Sequence, residues 1–287
     1  MASIATFKKY LDLVDSLYTE VAKTSVLDGN NALVRMGAGA GELIVPKITL
    51  DGLSDYDRTS GYESGDIGVS YETKKYNYDR GVKFNVDEMD NEETQGMLFA
   101  NTLGQLEKEK VAPEIDAFRF ATYASYSGIT AVEGNLATGE AVLSALVSAT
   151  ATMDNASVDM TDRVLFITPD LLLAAKNVDT TKSQAIFERF MSVVQVPSTR
   201  FYTAIDLKSK TADSATGYVK SAGAKNINFM IVSKSAVIQF TKHEFKKPLS
   251  PDNNPDADAW VIRYRKYGIA EVYDNKAKGI YLHNATT

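Results

Sequence analysis

The chain has no cysteine, which excludes disulfides, a thiolate nucleophile and thiolate-ligated metal. Histidine is nearly absent too: only His243 and His283 occur, in strand-like contexts with no chemical partner close by in sequence, and both are read as structural. No apolar run approaches the roughly 20 residues that cross a bilayer. The opening MASIATFKKYLDLVD carries acids early and has no continuous apolar stretch, so it is not a signal peptide. A cationic excess is missing as well. Lys and Arg number 31 against 37 Asp and Glu, a formal charge of -6, whereas a nucleic-acid sheath needs concentrated cations to displace counterions from phosphates. A soluble product made in the cytoplasm is expected.

Chemical motifs are equally scarce. The run MGAGAGEL at Met36 to Leu43 has neither the Gly-Lys-Ser/Thr end of a phosphate loop nor a GxGxxG between strand and helix, and reads as a loosely held linker. Asp252 to Asp258 alternates oxygen ligands like a calcium loop, but Ala257 and Arg263 stand where an EF-hand requires Gly and Glu, so a polar turn is expected. Lys74, Lys75, Tyr76 and Tyr78 interleave bases and aromatics as single-strand binders do. Lys75, however, points away from the tyrosines, and the acidic balance opposes that use. Asp87 and Glu88 sit at a helix start, where capping accounts for them. No Ser–His–Asp arrangement can be defended, and no catalytic, cofactor or metal site is predicted.

The chain is richer in architecture. Fifteen tyrosines suit extensive interfaces, because a tyrosine can bury its ring while its hydroxyl stays hydrogen-bonded. Phe7, Leu11, Val14 and Tyr18, with Tyr10, Leu17 and Val21, define one face of an amphipathic helix, either docked on its own core or packed as an arm on a neighbour. A strand from Leu43 to Leu50 enters a Gly-, Ser- and Asp-rich turn and returns, which describes a long two-stranded ribbon. Such ribbons are marginal alone in water, so this one should lie on something else. From Tyr76 to Val86 strict alternation marks a half-buried strand. Asp90, placed as an N-cap with Glu93, then opens a helix to Tyr126 of roughly 35 residues and ~50 Å. Lys110 is placed to pair with Glu107 and Glu114 on its exposed face. Pro113 interrupts it and predicts a kink costing on the order of 3 kcal/mol. Beyond Gly128 shorter elements alternate, with buried strands at Arg163–Thr168 and Asn228–Ser233 and closing strands at Ala259–Val272 and Gly279–His283. The fold class is α+β, with no repeated βαβ register.

The strand–turn–helix NYDRGVKFNVDEMDNEET, followed along the same helix by VAPEIDAFRFA, resembles the tailed-bacteriophage major capsid proteins of the Hong Kong 97-like fold. RVLFITPDLLLAAKN, VQVPSTRF, NFMIVSKSAVIQFTK and DNKAKGIYLH follow in matching order, so the similarity spans most of residues 45 to 285. The resemblance implies an N-terminal arm (1–44), an extended loop (45–88), a peripheral domain with a spine helix (89–129 and 231–287) and an axial domain (130–230). It implies no enzyme but a structural subunit, assembled in a bacterial host, that forms pentamers and hexamers. These would close an icosahedral virion head around double-stranded DNA, which is held without sequence-specific binding. Portal, decoration and separate scaffolding proteins are possible partners; the residues before the ribbon are too few to form an independent scaffolding domain. Tyr76, Tyr78, Val82 and Phe84, with Asp57 and Arg58, are the predicted intersubunit contacts. Replacing Tyr78 or Phe84 by Ala should accordingly weaken the shell more than the subunit. Lys74 and Lys75 read as ribbon-face charges. An encapsulin-type compartment is the alternative on the same fold, and a carboxylate-dependent hydrolase the distant one.

Overall fold

A computed structural model describes residues 22–29, 35–36, 41–59, 61–89, 103–178, 180–209 and 217–286. The predicted N-terminal face (Phe7, Leu11, Val14, Tyr18) and the N-cap at Asp90 lie outside the described residues. In chain order the strands begin with β1 (Arg35–Met36), β2 (Glu42–Leu50), β3 (Ile67–Lys75) and β4 (Tyr78–Asp87). β2 and β3 form the expected antiparallel ribbon, in register from Glu42↔Lys75 to Leu50↔Ile67, and β1 pairs with the root of β2.

The ribbon ends earlier than predicted. At Tyr76–Asn77 the chain changes sheets, and β4 pairs with β12 (Ala259–Val272), which in turn pairs with β11 (Val237–Leu249). Asn77 makes the crossing: its side-chain amide donates to the Ala270 carbonyl at 2.7 Å and accepts from the Ala270 amide at 3.1 Å, standing in for a backbone partner. The alternation read from Tyr78 to Val86 is present, but it points at the chain's own helix. Tyr78, Val82 and Phe84 pack with Leu103, Ile115, Ile262 and Tyr264. Tyr76 lies against Phe240 and Tyr267, its ring 4.8 Å from that of Tyr267. Tyr78 is thus buried within its own chain, whereas Tyr76, Val82 and Phe84 are half-buried there and keep part of their surface exposed.

The helix is described from Leu103 and ends as α1 (Ala112–Ala124). Ahead of Pro113 it widens into a π-helical turn, Glu107–Val111, closed by the Ala112 amide on the Glu107 carbonyl. The proline has no amide to offer Glu109, and this shift of register accommodates the loss. The turn also aims Glu107 inward, against the expectation of an exposed pair with Lys110. Glu107 is fully buried and meets Lys246 at 2.7 Å, while Glu244 bridges Lys246 (3.2 Å) and Lys266 (3.5 Å). Burial pushes Glu107 up to about 7 and Lys266 down to about 8. Glu114 turns to Arg80 at 2.9 Å and the Tyr78 hydroxyl at 3.1 Å.

The remaining elements are β5 (Thr130–Glu133), α2 (Gly139–Asn155), β6 (Arg163–Ile167), α3 (Pro169–Lys176), α4 (Thr180–Phe187), β7 (Ser192–Gln195), β8 (Ile205–Lys208), β9 (Gly217–Lys220), β10 (Ile227–Ser233) and β13 (Ile280–Asn284). A five-stranded sheet runs β5-β13-β10-β6-β7. One face is covered by α2 and α3 through Val142, Leu146, Leu172 and Ala175; the other carries Phe120 and Tyr123 of α1. All of RVLFI is buried, as a strand covered on both faces must be. The last strand, β13, lies inside this sheet and does not return to the three-stranded sheet with β11 and β12. The expected boundary at residues 230/231 is thus crossed by the chain. α1 is the joint, with one stripe on each sheet.

Candidate assembly surface

The ribbon has two unlike faces. Because side chains alternate and strands pair in register, Pro46, Ile48 and Leu50 of β2 share a face with Tyr71, Val69 and Ile67 of β3 as direct cross-strand pairs. That face is apolar and uncovered: Ile48, Leu50, Ile67, Val69 and Tyr71 are exposed by 54% (Val69) to 70% (Leu50). The opposite face carries Lys47, Thr49, Ser70, Glu72 and Lys74. At its root Leu43 and Val45 are buried on Ile238, Ile269 and Tyr273. The ribbon is thus seated by one face and offers the other. A contiguous apolar face of this kind marks an interaction surface.

At the far end Asp57 and Gly61 close the tip as a bridge, and the Asp57 carboxylate accepts the Thr59 amide at 2.8 Å. Asp57 and Arg58 are both exposed there. Leu53 and Tyr62 are exposed beside them, and Tyr56 packs edge-on against Tyr62.

The seat of the ribbon is polar as well as apolar. Lys74 is no free surface charge: it pairs with Glu72 at 2.7 Å and with Asp274 at 3.0 Å, and its ammonium sits over the Tyr126 ring. Tyr126 donates to Asp274 in turn. Burial and the hydrogen bond to Asp274 push Glu72 up, and Tyr126 is raised to about 12 by burial and the same aspartate. Asp274 is held well below the usual carboxylate range by hydrogen bonds from Glu72, Tyr126 and Lys74. Ribbon, helix end and the segment before β13 are locked together here.

A second lock escaped the sequence reading. Asp116, fully buried on α1, accepts the Lys23 amide (2.9 Å), the Thr24 amide (3.0 Å) and the Thr24 hydroxyl (2.7 Å), and pairs with Arg200 at 3.2 Å. Gln239 donates to the Thr24 carbonyl and Asp28, and accepts from Tyr123. Residues 22–28 are therefore clasped to the helix. The only sequence-level trace was an acid on an otherwise apolar helical stripe.

No catalytic geometry forms around the histidines. His283 is buried against Phe229, with Asn228 at 3.1 Å from Nδ1, and desolvation lowers its pKa; His243 lies exposed beside Phe245. Asp252 to Asp258 forms the turn between β11 and β12. Among the described residues no cluster of acids and histidines is placed to hold a metal ion, and no helix is long and apolar enough to cross a membrane.

Two packed sheets bridged by one helix, with a ribbon projecting from the body, define a capsid-type α+β fold. Solved structures share it. Over 89% of this chain and 90% of theirs, a structure from Mycobacterium phage Che8 superposes with a TM-score of 0.58 at 15% identity. The capsid of cyanophage P-SCSP1u covers 88% and 86% with a TM-score of 0.57 at 14% identity. A virus-like particle from Pyrococcus furiosus covers 93% and 99% with a TM-score of 0.56 at 12% identity. The chain has the Hong Kong 97-like fold expected from its sequence. No family model and no curated protein matches it at the level of sequence.

Proposed function

We propose that this chain is the major capsid protein of a tailed phage, a structural subunit and not an enzyme, which self-assembles into pentamers and hexamers of an icosahedral head around double-stranded DNA. The observation that carries the reading is the ribbon: an exposed apolar face that none of the described residues covers, on a body with a capsid fold. In the shell, α1 and the β11-β12-β4 sheet take the peripheral place and the five-stranded sheet the axial one. Covering the ribbon's exposed aliphatic side chains gains about 25 cal/mol per Å² removed from water, repeated at every copy. Portal, scaffolding and decoration proteins are its expected partners, and the virion its location. A second reading keeps the fold and changes its use to a compartment that encloses enzymes. The match to a virus-like particle over 93% of this chain and 99% of that one is the observation that keeps a shell other than a phage head in view. Electron microscopy of the purified protein tests both readings at once: capsomers or closed shells are expected. Monodisperse monomers under assembly conditions, with any scaffold supplied, would refute them.

A further inference from the structure

The face of the β11-β12-β4 sheet turned away from α1 carries Lys247, Arg263 and Lys83 side by side, in direct register across all three strands (Lys247↔Arg263↔Lys83). All three are exposed. Like charges directly opposite one another destabilise a sheet. Along the same face Arg265 has its acid, Asp79, at 2.6 Å and 2.8 Å, whereas none of these three has an ion-pair partner among the described residues. Asp87 stands four residues along β4 from Lys83, about 13 Å away at ~3.3 Å per residue, beside the acidic turn of Asp252, Asp256 and Asp258. A three-cation row with no ion-pair partner among the described residues suits an anionic surface on a second chain.

The ribbon tip is such a surface. Between residues 51 and 66 it holds Asp51, Asp55, Asp57, Glu63 and Asp66 against Arg58 alone. A chain's own tip points the wrong way. The ribbon root begins at Tyr267, which Tyr76 stacks on and Gly41 abuts. It then runs past Ile269 and Tyr273, and Lys74 reaches Asp274. The root therefore travels along β12 away from Arg263, a direction that leads the tip away from the chain's own cationic row.

We propose that the acidic ribbon tip of one copy docks on the Lys247–Arg263–Lys83 row of a second copy. The inference rests on the shell reading and names the place where the ribbon lands. The contact is head-to-tail, the kind that closes into rings when the rotation permits. The competing occupant is the phosphate backbone of enclosed DNA.

Three chains test this. In the first, Lys83→Glu, Arg263→Glu and Lys247→Glu invert the row. In the second, Ser54→Lys, Asp55→Lys, Glu63→Lys and Ser64→Lys make the tip basic while sparing Asp51, Asp57 and Asp66, whose carboxylates hold the turn. The third carries both sets. Circular dichroism and melting confirm folding, and light scattering with microscopy reads assembly beside the unaltered chain. Each single set should raise the subunit concentration needed for half-assembly at least about tenfold, as charge repulsion across an interface does. The combined chain should recover. A one-to-one mixture of the two single sets should also assemble, because an alternating ring puts a basic tip on an acidic row and an acidic tip on a basic row. Such rings must have an even number of copies. Normal assembly of the row variant, or failure of both the mixture and the combined chain, overturns the docking while the unaltered chain still makes shells. Normal assembly with lost DNA retention assigns the row to phosphates instead. An unaltered chain that stays monomeric removes the shell reading itself.

Discussion

Replacing Tyr78 by Ala separates an interior strand from an assembly strand. Tyr78 is 7% exposed; its ring centroid lies 5.1 Å from that of Phe118, and its hydroxyl reaches Glu114 at 3.1 Å. Truncation removes most of a buried aromatic ring and leaves a cavity between β4 and α1, a loss of about 3–5 kcal/mol. Glu114 keeps its pairing with Arg80, so no unpaired buried charge adds to the cost. For a chain of this size the melting temperature should fall by on the order of 10 °C. Ile48→Ala on the ribbon is the control. That side chain is 61% exposed, and its loss should change subunit stability by no more than about 0.5 kcal/mol. Urea unfolding of unassembled subunits measures both, and light scattering follows assembly of the same samples. The expected pattern is a strongly destabilised subunit for Tyr78→Ala, and a normally stable subunit with weakened assembly for Ile48→Ala. A Tyr78→Ala subunit as stable as wild type that fails to assemble would show that this tyrosine serves a neighbouring chain, and the reasoning from burial would fall.

Two further outcomes follow from the charged clusters. The folded-state pKa of Glu107, about 7 against an ordinary 4.5, means that its contribution to stability is full below 4.5 and is lost as pH rises through 7. A rise of that size corresponds to roughly 3 kcal/mol. Glu107→Gln should therefore flatten the decline of urea stability between pH 5 and 7.5, and an unchanged slope would place the titrating group elsewhere. Lys74→Met removes the cation between Glu72 and Asp274; it should cost about 1 kcal/mol and speed deuterium exchange across β2 and β3 while leaving β6 and β10 protected. Uniform exchange over the whole chain would mean that Lys74 does not hold the ribbon root in particular.

What the sequence disclosed, it disclosed by period. The alternation from Tyr76 to Val86 predicts a half-buried strand, and from Tyr78 onward β4 alternates as expected; RVLFI and NFMIVS read as buried strands because β-branched and aromatic runs of that length between turn signals have few other uses. Period says which face is covered but not what covers it. The alternation thus marks Tyr78, Val82 and Phe84 as covered without naming Ile115, Ile262 and Tyr264, up to 186 residues away in sequence, which pack on them within the chain. The sheet change at Asn77 was hidden because a side-chain amide imitating a backbone pair leaves no mark in hydropathy. For the same reason the π turn before Pro113 was legible as a disturbance, yet its consequence, the burial of Glu107 on Lys246, was not. The clasp of Thr24 on Asp116 joins residues 92 apart, and its polar side chains look like surface residues until the fold brings them together.

A ribbon with an uncovered apolar face is a hazard to the chain that carries it. Exposed strands with apolar side chains template aggregation, and pairing with another ribbon through the same face would be the simplest accident. The acids answer this where they stand. Two tips brought together place two sets of Asp51, Asp55, Asp57, Glu63 and Asp66 against each other, so an isologous tip-to-tip contact is repelled before apolar surface can be buried. The Lys247–Arg263–Lys83 row, without an ion-pair partner among the described residues, lies at the other end of β12. Repulsion at like ends and attraction at unlike ends together select a polar, head-to-tail order of subunits. Burial of Ile48, Leu50, Ile67, Val69 and Tyr71 can then supply most of the affinity without choosing the partner's orientation. On this division of labour raised salt should slow the encounter of subunits more than it loosens finished rings, because the screened charges guide approach while the apolar face holds the contact. Stopped-flow light scattering at 0.05 and 0.5 M salt measures the first, and dilution of preformed rings the second. Equal salt sensitivity in both would show that charge, and not the apolar face, carries the contact.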